Sequence, residues 1–245
     1  MRADDFLAAL DVAPVVDLDA LAGPGGLVVL APHPDDESLG CGGLIAQAVA
    51  RGRDVRLVIL TDGSGSHPLT PSFTSQMLRD LREAETLAAV AALGLPAGHV
   101  TFLRLQDAWV PREGPVAEEA ARTLVALAAE CRAGALLTTW RHDPHCDHKA
   151  AAAIVDLAAA ALPDLRALAF TVWGGRLPPD LDVGAPPRAV RLDVGAQRDA
   201  KRRAIMAHAS QTIGLPGDHP GAFRLEEAMI DRLCGPHEAY FEATR

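Results

Sequence analysis

The chain has 245 residues, 49% of them apolar and 22% charged, which suits one large α/β domain with a well-buried core and excludes extended disorder. Its net charge is −9, and the 23 Lys and Arg residues form no dense run. This excludes nucleic acid and anionic membrane surfaces as expected partners and leaves a small or neutral ligand. No apolar stretch approaches the ~18 residues a bilayer span requires, and Met1–Asp5 lacks the basic-then-apolar order of a secretory signal. A cytoplasmic protein is therefore expected, with Cys41, Cys131, Cys146 and Cys234, which share no paired spacing, as reduced thiols.

In chain order, an apolar run at 27–31 predicts the first strand. Leu44, Ile45, Ala48 and Val49 then recur at helical spacing up to Gly52, a residue suited to a left-handed helix end. A second run at 55–61 is followed by a helical face of Leu78, Leu81, Ala88 and Ala91, closing at Gly94 and Pro96. The run at 100–105 precedes a face of Val116, Ala120, Leu124, Leu127 and Cys131, closing at Gly134. Runs at 135–140, 167–173 and 189–194 complete the strands, with an Ala-rich helix at 149–161. Residues 176–187 and 210–223 read as loops, the second near the mouth of any site. The strands at 27–31 and 55–61 are apolar throughout, as strands buried on both faces are. Strand–helix–strand repetition predicts a Rossmann-like, doubly wound, mostly parallel sheet with helices on both faces, in a single domain spanning 1–245.

Ligands of such sheets bind beyond the carboxyl ends of the strands, near the point where strand order reverses. Two polar clusters fall at such ends. Ala31-Pro32-His33-Pro34-Asp35-Asp36-Glu37-Ser38 follows the first strand, and Arg141-His142-Asp143-Pro144-His145-Cys146-Asp147-His148 follows the strand at 135–140. Either cluster alone reads equally well as helix caps and dipole partners. Two at matching strand ends point to metal chemistry. A catalytic zinc takes three imidazole or carboxylate ligands plus an open position for water, and His33, Asp36 and His148 supply that set. Such a metal lowers the pKa of its water from 15.7 to about 7. Asp35, beside the ligand Asp36, is placed to take the water's proton, and His145 to donate to the oxyanion or the leaving nitrogen. Asp147 would orient and charge His145. Cys146 offers a rival thiolate ligand. His148 is preferred, because His145 and His148 then hold separate roles and Cys146 turns to the core.

These residues resemble a known family. His33-Pro34-Asp35-Asp36-Glu37 matches the hallmark of the PIG-L/LmbE-like zinc-dependent N-acetylglucosaminide deacetylases without a mismatch. That family includes the deacetylases of mycothiol and bacillithiol synthesis and of glycolipid-anchor precursors. Its second motif, His-Pro-Asp-His, is met by His145-Cys146-Asp147-His148 with Cys in place of Pro. The resemblance implies zinc on His33, Asp36 and His148, Asp35 as general base, and His145 supported by Asp147 as its electrostatic or acid partner. It also implies Arg82, in Arg82-Glu83-Ala84-Glu85, and Asp107 as substrate contacts, where a surface ion pair and a turn residue are the bland readings. Lys201 with His208-Ala209-Ser210-Gln211 resembles a recurrent C-terminal pattern of the family.

The Gly-rich loop from Thr61 to His67 has neither a P-loop Lys nor a dinucleotide fingerprint and reads as a rim over which backbone approaches substrate, with His67 as a further contact. Gly40-Cys41-Gly42-Gly43 reads as a site of close packing. His142 and His219 could line the site; His99 and His237 read as surface residues. The expected activity is metal-dependent removal of an acetyl group from the nitrogen of an amino sugar or glycoconjugate, releasing acetate. Zinc is the expected metal, with iron or cobalt as substitutes. The rival readings are an amide or ester hydrolase with a non-sugar substrate, and a non-catalytic metal-dependent sugar-binding protein, against which the spare Asp35 argues. The resemblance allows a homo-oligomer.

Overall fold

The structure is a computed structural model, and it describes residues 1–70, 73–215 and 222–243. Eight strands form one sheet in the order β1-β7-β8-β6-β5-β2-β3-β4. They are β1 (Val15–Val16), β2 (Gly26–Ala31), β3 (Val55–Thr61), β4 (Val100–Leu105), β5 (Ala133–Thr139), β6 (Arg166–Phe170), β7 (Ala189–Asp193) and β8 (His237–Glu242). All pairings are parallel except those of β8, which runs antiparallel between β6 and β7. The expected doubly wound, mostly parallel sheet is what forms.

Alternate residues of the central strands enter opposite cores, the period-2 rule of a strand covered on both faces. Leu27, Val29 and Ala31 of β2 join Leu57 and Ile59 under α3 (Asp36–Ala50), α4 (Ser75–Ala92) and α7 (Arg198–Ala207). Val28 and Leu30 join Val58, Leu60 and Leu136 under α5 (Pro115–Glu130) and α6 (Cys146–Ala161). A third cluster seats α1 (Ala3–Asp11) at the sheet, where Phe6 stacks on Trp140 at 4.5 Å. The remaining helices are α2 (Leu18–Ala22), α8 (Ala209–Thr212) and α9 (Glu227–Leu233).

Several local expectations shift, each for a visible reason. The run at 167–173 leaves the sheet after Phe170, because the Val172 and Trp173 N–H groups turn to donate to Asp143. Helix α4 buries Leu78, Ala89 and Val90 together with Arg82 and Glu85, while Ala88 and Ala91 are exposed; its inner face is turned from the expected stripe to seat a polar network beside its apolar residues. The left-handed residue closing α5 is Arg132, with φ 49°, whereas Gly134 lies in β5, where a Cβ would collide with the Ala22 carbonyl. Helix α3 begins at Asp36, well before Leu44, and bends at Cys41. A Cβ on Gly40 would strike the Phe170 ring and one on Gly43 would meet Val194 at 2.7 Å, which is the close packing read from the small residues.

The chain runs outward from β2 to β3 and β4, then returns across to β5 on the other side of β2. Strand order therefore reverses between β2 and β5, which opens a crevice at their carboxyl ends. Both polar clusters lie there.

Candidate metal and catalytic site

The β2–α3 turn presents His33 and Asp36, and the first turn of α6 presents His148, to one point. His33 Nδ1 and His148 Nε2 lie 3.0 and 3.2 Å from the same carboxylate oxygen of Asp36. One ligand atom from each of the three residues lies within 4.8 Å of the others, a grouping that can hold a metal ion. Asp36 Oδ1 and His148 Nε2 are buried and make no hydrogen bond to any described residue. A buried polar atom left unpaired is costly, and a cation bound by this nitrogen and oxygen set would satisfy both. The donor set of two imidazoles and one carboxylate, which leaves further positions open, fits a catalytic metal.

Each candidate imidazole ligand has a carboxylate behind it. His148 Nδ1 faces Asp143 Oδ2 at 3.2 Å, and Asp143 also accepts from Val172 N–H, Trp173 N–H and the Thr171 hydroxyl at 2.9, 3.2 and 2.5 Å. His33 Nε2 faces Asp147 Oδ2 at 3.3 Å. Such carboxylates fix the ring and raise its basicity. Asp143 was visible in the sequence only as one acid in a cluster. Its backing of His148 depends on the turn after β6, which no local pattern announces. Burial opposes charging His148, yet Asp36 and Asp143 outweigh it and raise its pKa to about 9. Burial likewise opposes protonating His33, but Asp107, Asp147 and Asp36 drive its pKa well up. Both shifts express one fact: the pocket is anionic and built to receive positive charge.

Asp147 departs from the orientation expected of it. Its carboxylate accepts from Ala108 N–H at 2.7 Å and Val110 N–H at 3.3 Å and faces His33, whereas His145 Nδ1 is 3.9 Å away. His145 is engaged instead as the N-cap of α6, its Nδ1 accepting from the Asp147 N–H at 3.2 Å. That bond leaves Nε2 to carry the ring proton of neutral His145. The ring meets His33 edge-on at 4.4 Å, and burial together with the His33 and His148 charges lowers its pKa. Cys146 is exposed rather than turned to the core, with Sγ 3.5 Å from the Ala108 carbonyl. All four cysteines are free thiols.

Asp35 is buried with φ 140° and ψ −29°, a backbone state that L-residues rarely adopt. Arg82 Nη2 donates to its carboxylate at 3.2 Å and also to the Pro34 carbonyl. Burial, with Asp36 adding to it, pushes the Asp35 carboxyl up to about 6 despite Arg82. Arg82 is thus no exposed helix pair; it is 2% exposed, with Glu85 4.0 Å from its Nε. Asp107, on the loop after β4, accepts from Gly65 N–H at 3.0 Å, and its other oxygen is 3.6 Å from His33 Nε2. Burial favours the neutral acid, but His33 and the Gly65 N–H hold its pKa down at about 2.

His33, Asp35, Asp36, Arg82, Asp107 and His145 line a cleft of about 250 Å³. Gly65 and Ser66 of the loop after β3 line it beside Asp107. An aromatic wall is formed by Trp173 and Phe223 with Arg176, the two rings edge-to-face at 5.6 Å and the Arg176 guanidinium 4.9 Å over Trp173. The Phe223 N–H donates to the Ser66 carbonyl at 3.0 Å, tying this wall to the loop after β3. The rim loop after β3 therefore sits where the sequence placed it, and no motif marked the aromatic wall. His142 lines a different cavity, and His67 is buried with Nδ1 2.9 Å from the Ser66 hydroxyl. His99 bonds the Val55 carbonyl and, like His237, is half-buried. His219 lies outside the described residues. Among the described residues, no helix is long and apolar enough to cross a membrane.

Residues 28–159 match the family described as PIG-L, GlcNAc-PI de-N-acetylase. Over its length the chain is similar to the 1D-myo-inositol 2-acetamido-2-deoxy-alpha-D-glucopyranoside deacetylase of Actinosynnema mirum, 29% identical over 268 residues that cover 91% of this chain and 94% of that one. The protein of the same name from Mycobacterium sp. strain KMS is 38% identical over 102 residues, 39% of this chain, so that the match spans about a third (32%) of that relative's length. Among solved structures, the fold is that of the N,N'-diacetylchitobiose deacetylase of Pyrococcus horikoshii, with a TM-score of 0.61 at 19% identity over 86% of this chain and 78% of that one.

Proposed function

The chain belongs to the PIG-L family of de-N-acetylases, and from that premise we propose that it is a metal-dependent hydrolase that removes the acetyl group from the nitrogen of an amino sugar or its glycoconjugate. The observation that carries the proposal is the meeting of His33, Asp36 and His148 around unpaired buried donor atoms, with Asp35 beside them. Its relatives' names, which specify an acetamido-sugar substrate, support the same choice.

The metal, for which we propose zinc, would be held by His33, Asp36 and His148. When bound it supplies a Lewis acid that polarises the acetamide carbonyl and acidifies water. The rest falls to the protein's own groups. Asp35, its carboxyl raised toward neutrality by burial, accepts the proton of the attacking water. Arg82 holds that carboxylate and keeps it from swinging away. His145 donates from Nε2 to the oxyanion or to the departing nitrogen, since Nδ1 is occupied by the α6 backbone. Asp107 offers acceptor oxygens to sugar hydroxyls in the cleft, its carboxylate held by the Gly65 N–H. At about 250 Å³ the cleft lies just below the usual range for small-ligand pockets, so it suits one sugar ring. The remainder of the substrate would then lie on Trp173, Phe223 and Arg176. We place the protein in the cytoplasm, a reading consistent with its four free thiols.

The test is product analysis on a panel of N-acetyl sugars, free and as glycosides. Stoichiometric acetate and free amine are expected from the metal-loaded parent, and a loss of about 10²–10⁴-fold in Asp35→Ala with metal retained. Release of acetate from esters or non-sugar amides alone would reject the sugar substrate. Full turnover in Asp35→Ala would reject the base.

A further inference from the structure

We propose that the C-terminal segment His208–Ser210 is a positioning device for Asp35, acting on its backbone through one buried carboxylate and on its side chain through another. The backbone arm is an unbroken run of hydrogen bonds, and the side-chain arm closes through a 4.0 Å ion pair between Glu85 and Arg82. His208 Nε2 lies 3.0 Å from Glu37 Oε1, and Glu37 Oε2 accepts the Asp35 N–H at 3.0 Å. On the other arm, the Ser210 N–H and hydroxyl donate to the two oxygens of Glu85 at 2.6 and 2.7 Å. Glu85 in turn faces Arg82, whose guanidinium bonds the Asp35 carboxylate. His208, Ser210 and Glu37 are fully buried and Glu85 nearly so, which makes these hydrogen bonds strong and their loss expensive.

The arrangement answers a question the catalytic site leaves open: what holds Asp35 at φ 140°. A residue in so sparsely populated a state persists only where its surroundings over-determine it, and such states gather at active sites. Glu37 fixes the direction of the Asp35 N–H, and Arg82 fixes its carboxylate and the preceding carbonyl. Neither Glu37 nor Glu85 touches the cleft; both are oriented by residues more than 120 positions away in sequence, with separations of 171 and 125. Residues 208–210 touch neither the cleft's reacting groups nor the candidate ligands, so their part is to position rather than to react.

The experiment compares His208→Leu, which removes the donor, with His208→Gln, whose Nε can take the place of the imidazole Nε2. In metal-loaded protein acting on an N-acetylglucosaminide, His208→Leu should lower kcat about 10–100-fold. KM and metal content should stay within about twofold of the parent, and His208→Gln should recover most of the loss. A second readout needs no turnover. Asp35→Gly should melt above Asp35→Ala, because glycine accepts φ 140° and alanine does not. That gap should close when His208→Leu is added, since the strain is then no longer imposed; a merely structural His208 would lower both melting points and leave the gap intact. Should His208→Leu not fold, Ser210→Ala carries the kinetic readout through the Glu85 arm, and Glu37→Ala, which frees the Asp35 N–H, carries the melting readout through the backbone arm. An unchanged kcat, a change confined to KM, or a gap unaffected by these variants would overturn the proposal. The kinetic half rests on the deacetylase reading; the melting half does not, so a protein that releases no acetate would fail the first while the second still decides the positioning role.

Discussion

Replacing Asp147 by Asn tests which imidazole that carboxylate serves. The change keeps shape and removes charge. Both oxygens of Asp147 already accept backbone N–H groups, Oδ2 from Ala108 at 2.7 Å and Oδ1 from Val110 at 3.3 Å. An amide can accept at only one of these positions, so an N–H must face an N–H, at a cost of about 1–3 kcal/mol. For a chain of this size that is a fall of roughly 2–12 °C in Tm. If Asp147 backs His33, as its 3.3 Å contact indicates, the ligand also loses its anionic partner. Metal affinity should then weaken about 10–100-fold, or about 1.4–2.7 kcal/mol. The assay is competition for zinc against a chromogenic chelator, with His145→Ala alongside; the latter should keep parental affinity and lose turnover. If Asp147→Asn binds zinc as the parent does and loses only turnover, the carboxylate serves His145 after all and the reasoning fails.

Trp173→Ala should raise KM for glycosides of an N-acetyl sugar by about tenfold while leaving KM for the free sugar within twofold, because only the glycosides reach the aromatic wall; steady-state kinetics on both decides it. Cys146→Ser should leave metal content and kcat within about twofold, since the thiol is exposed and outside the donor group; chelator titration and turnover would register any larger change. Gly40→Ala should destabilise by about 1–3 kcal/mol or more, read by urea unfolding, because its Cβ meets the fully buried Phe170 ring.

How far the sequence could be read depended on whether a feature was local. The strands β2, β3 and β5 are continuous apolar runs, and the imidazoles and carboxylates break from them at once, so the crevice and its three candidate ligands were legible. The strand β8 was not: His237–Glu242 is short, mixed in polarity, and is a strand only because β6 and β7 leave a slot between them. The same holds for α8, where Ser210 falls in a short helix instead of the expected loop because its N–H and hydroxyl are bound by Glu85. Asp147 illustrates the limit most sharply. Two residues from His145, it looked like that ring's partner, yet the backbone of the loop after β4 turns its carboxylate to His33 instead.

Metal analysis of the purified chain beside His33→Ala, Asp36→Ala and His148→Ala, with acetate release measured on the same samples, bears most directly on the account. One divalent ion per parent chain, lost from each variant together with turnover, is the predicted result. Parental metal content in any of the three, or full turnover by chelated protein, would contradict it.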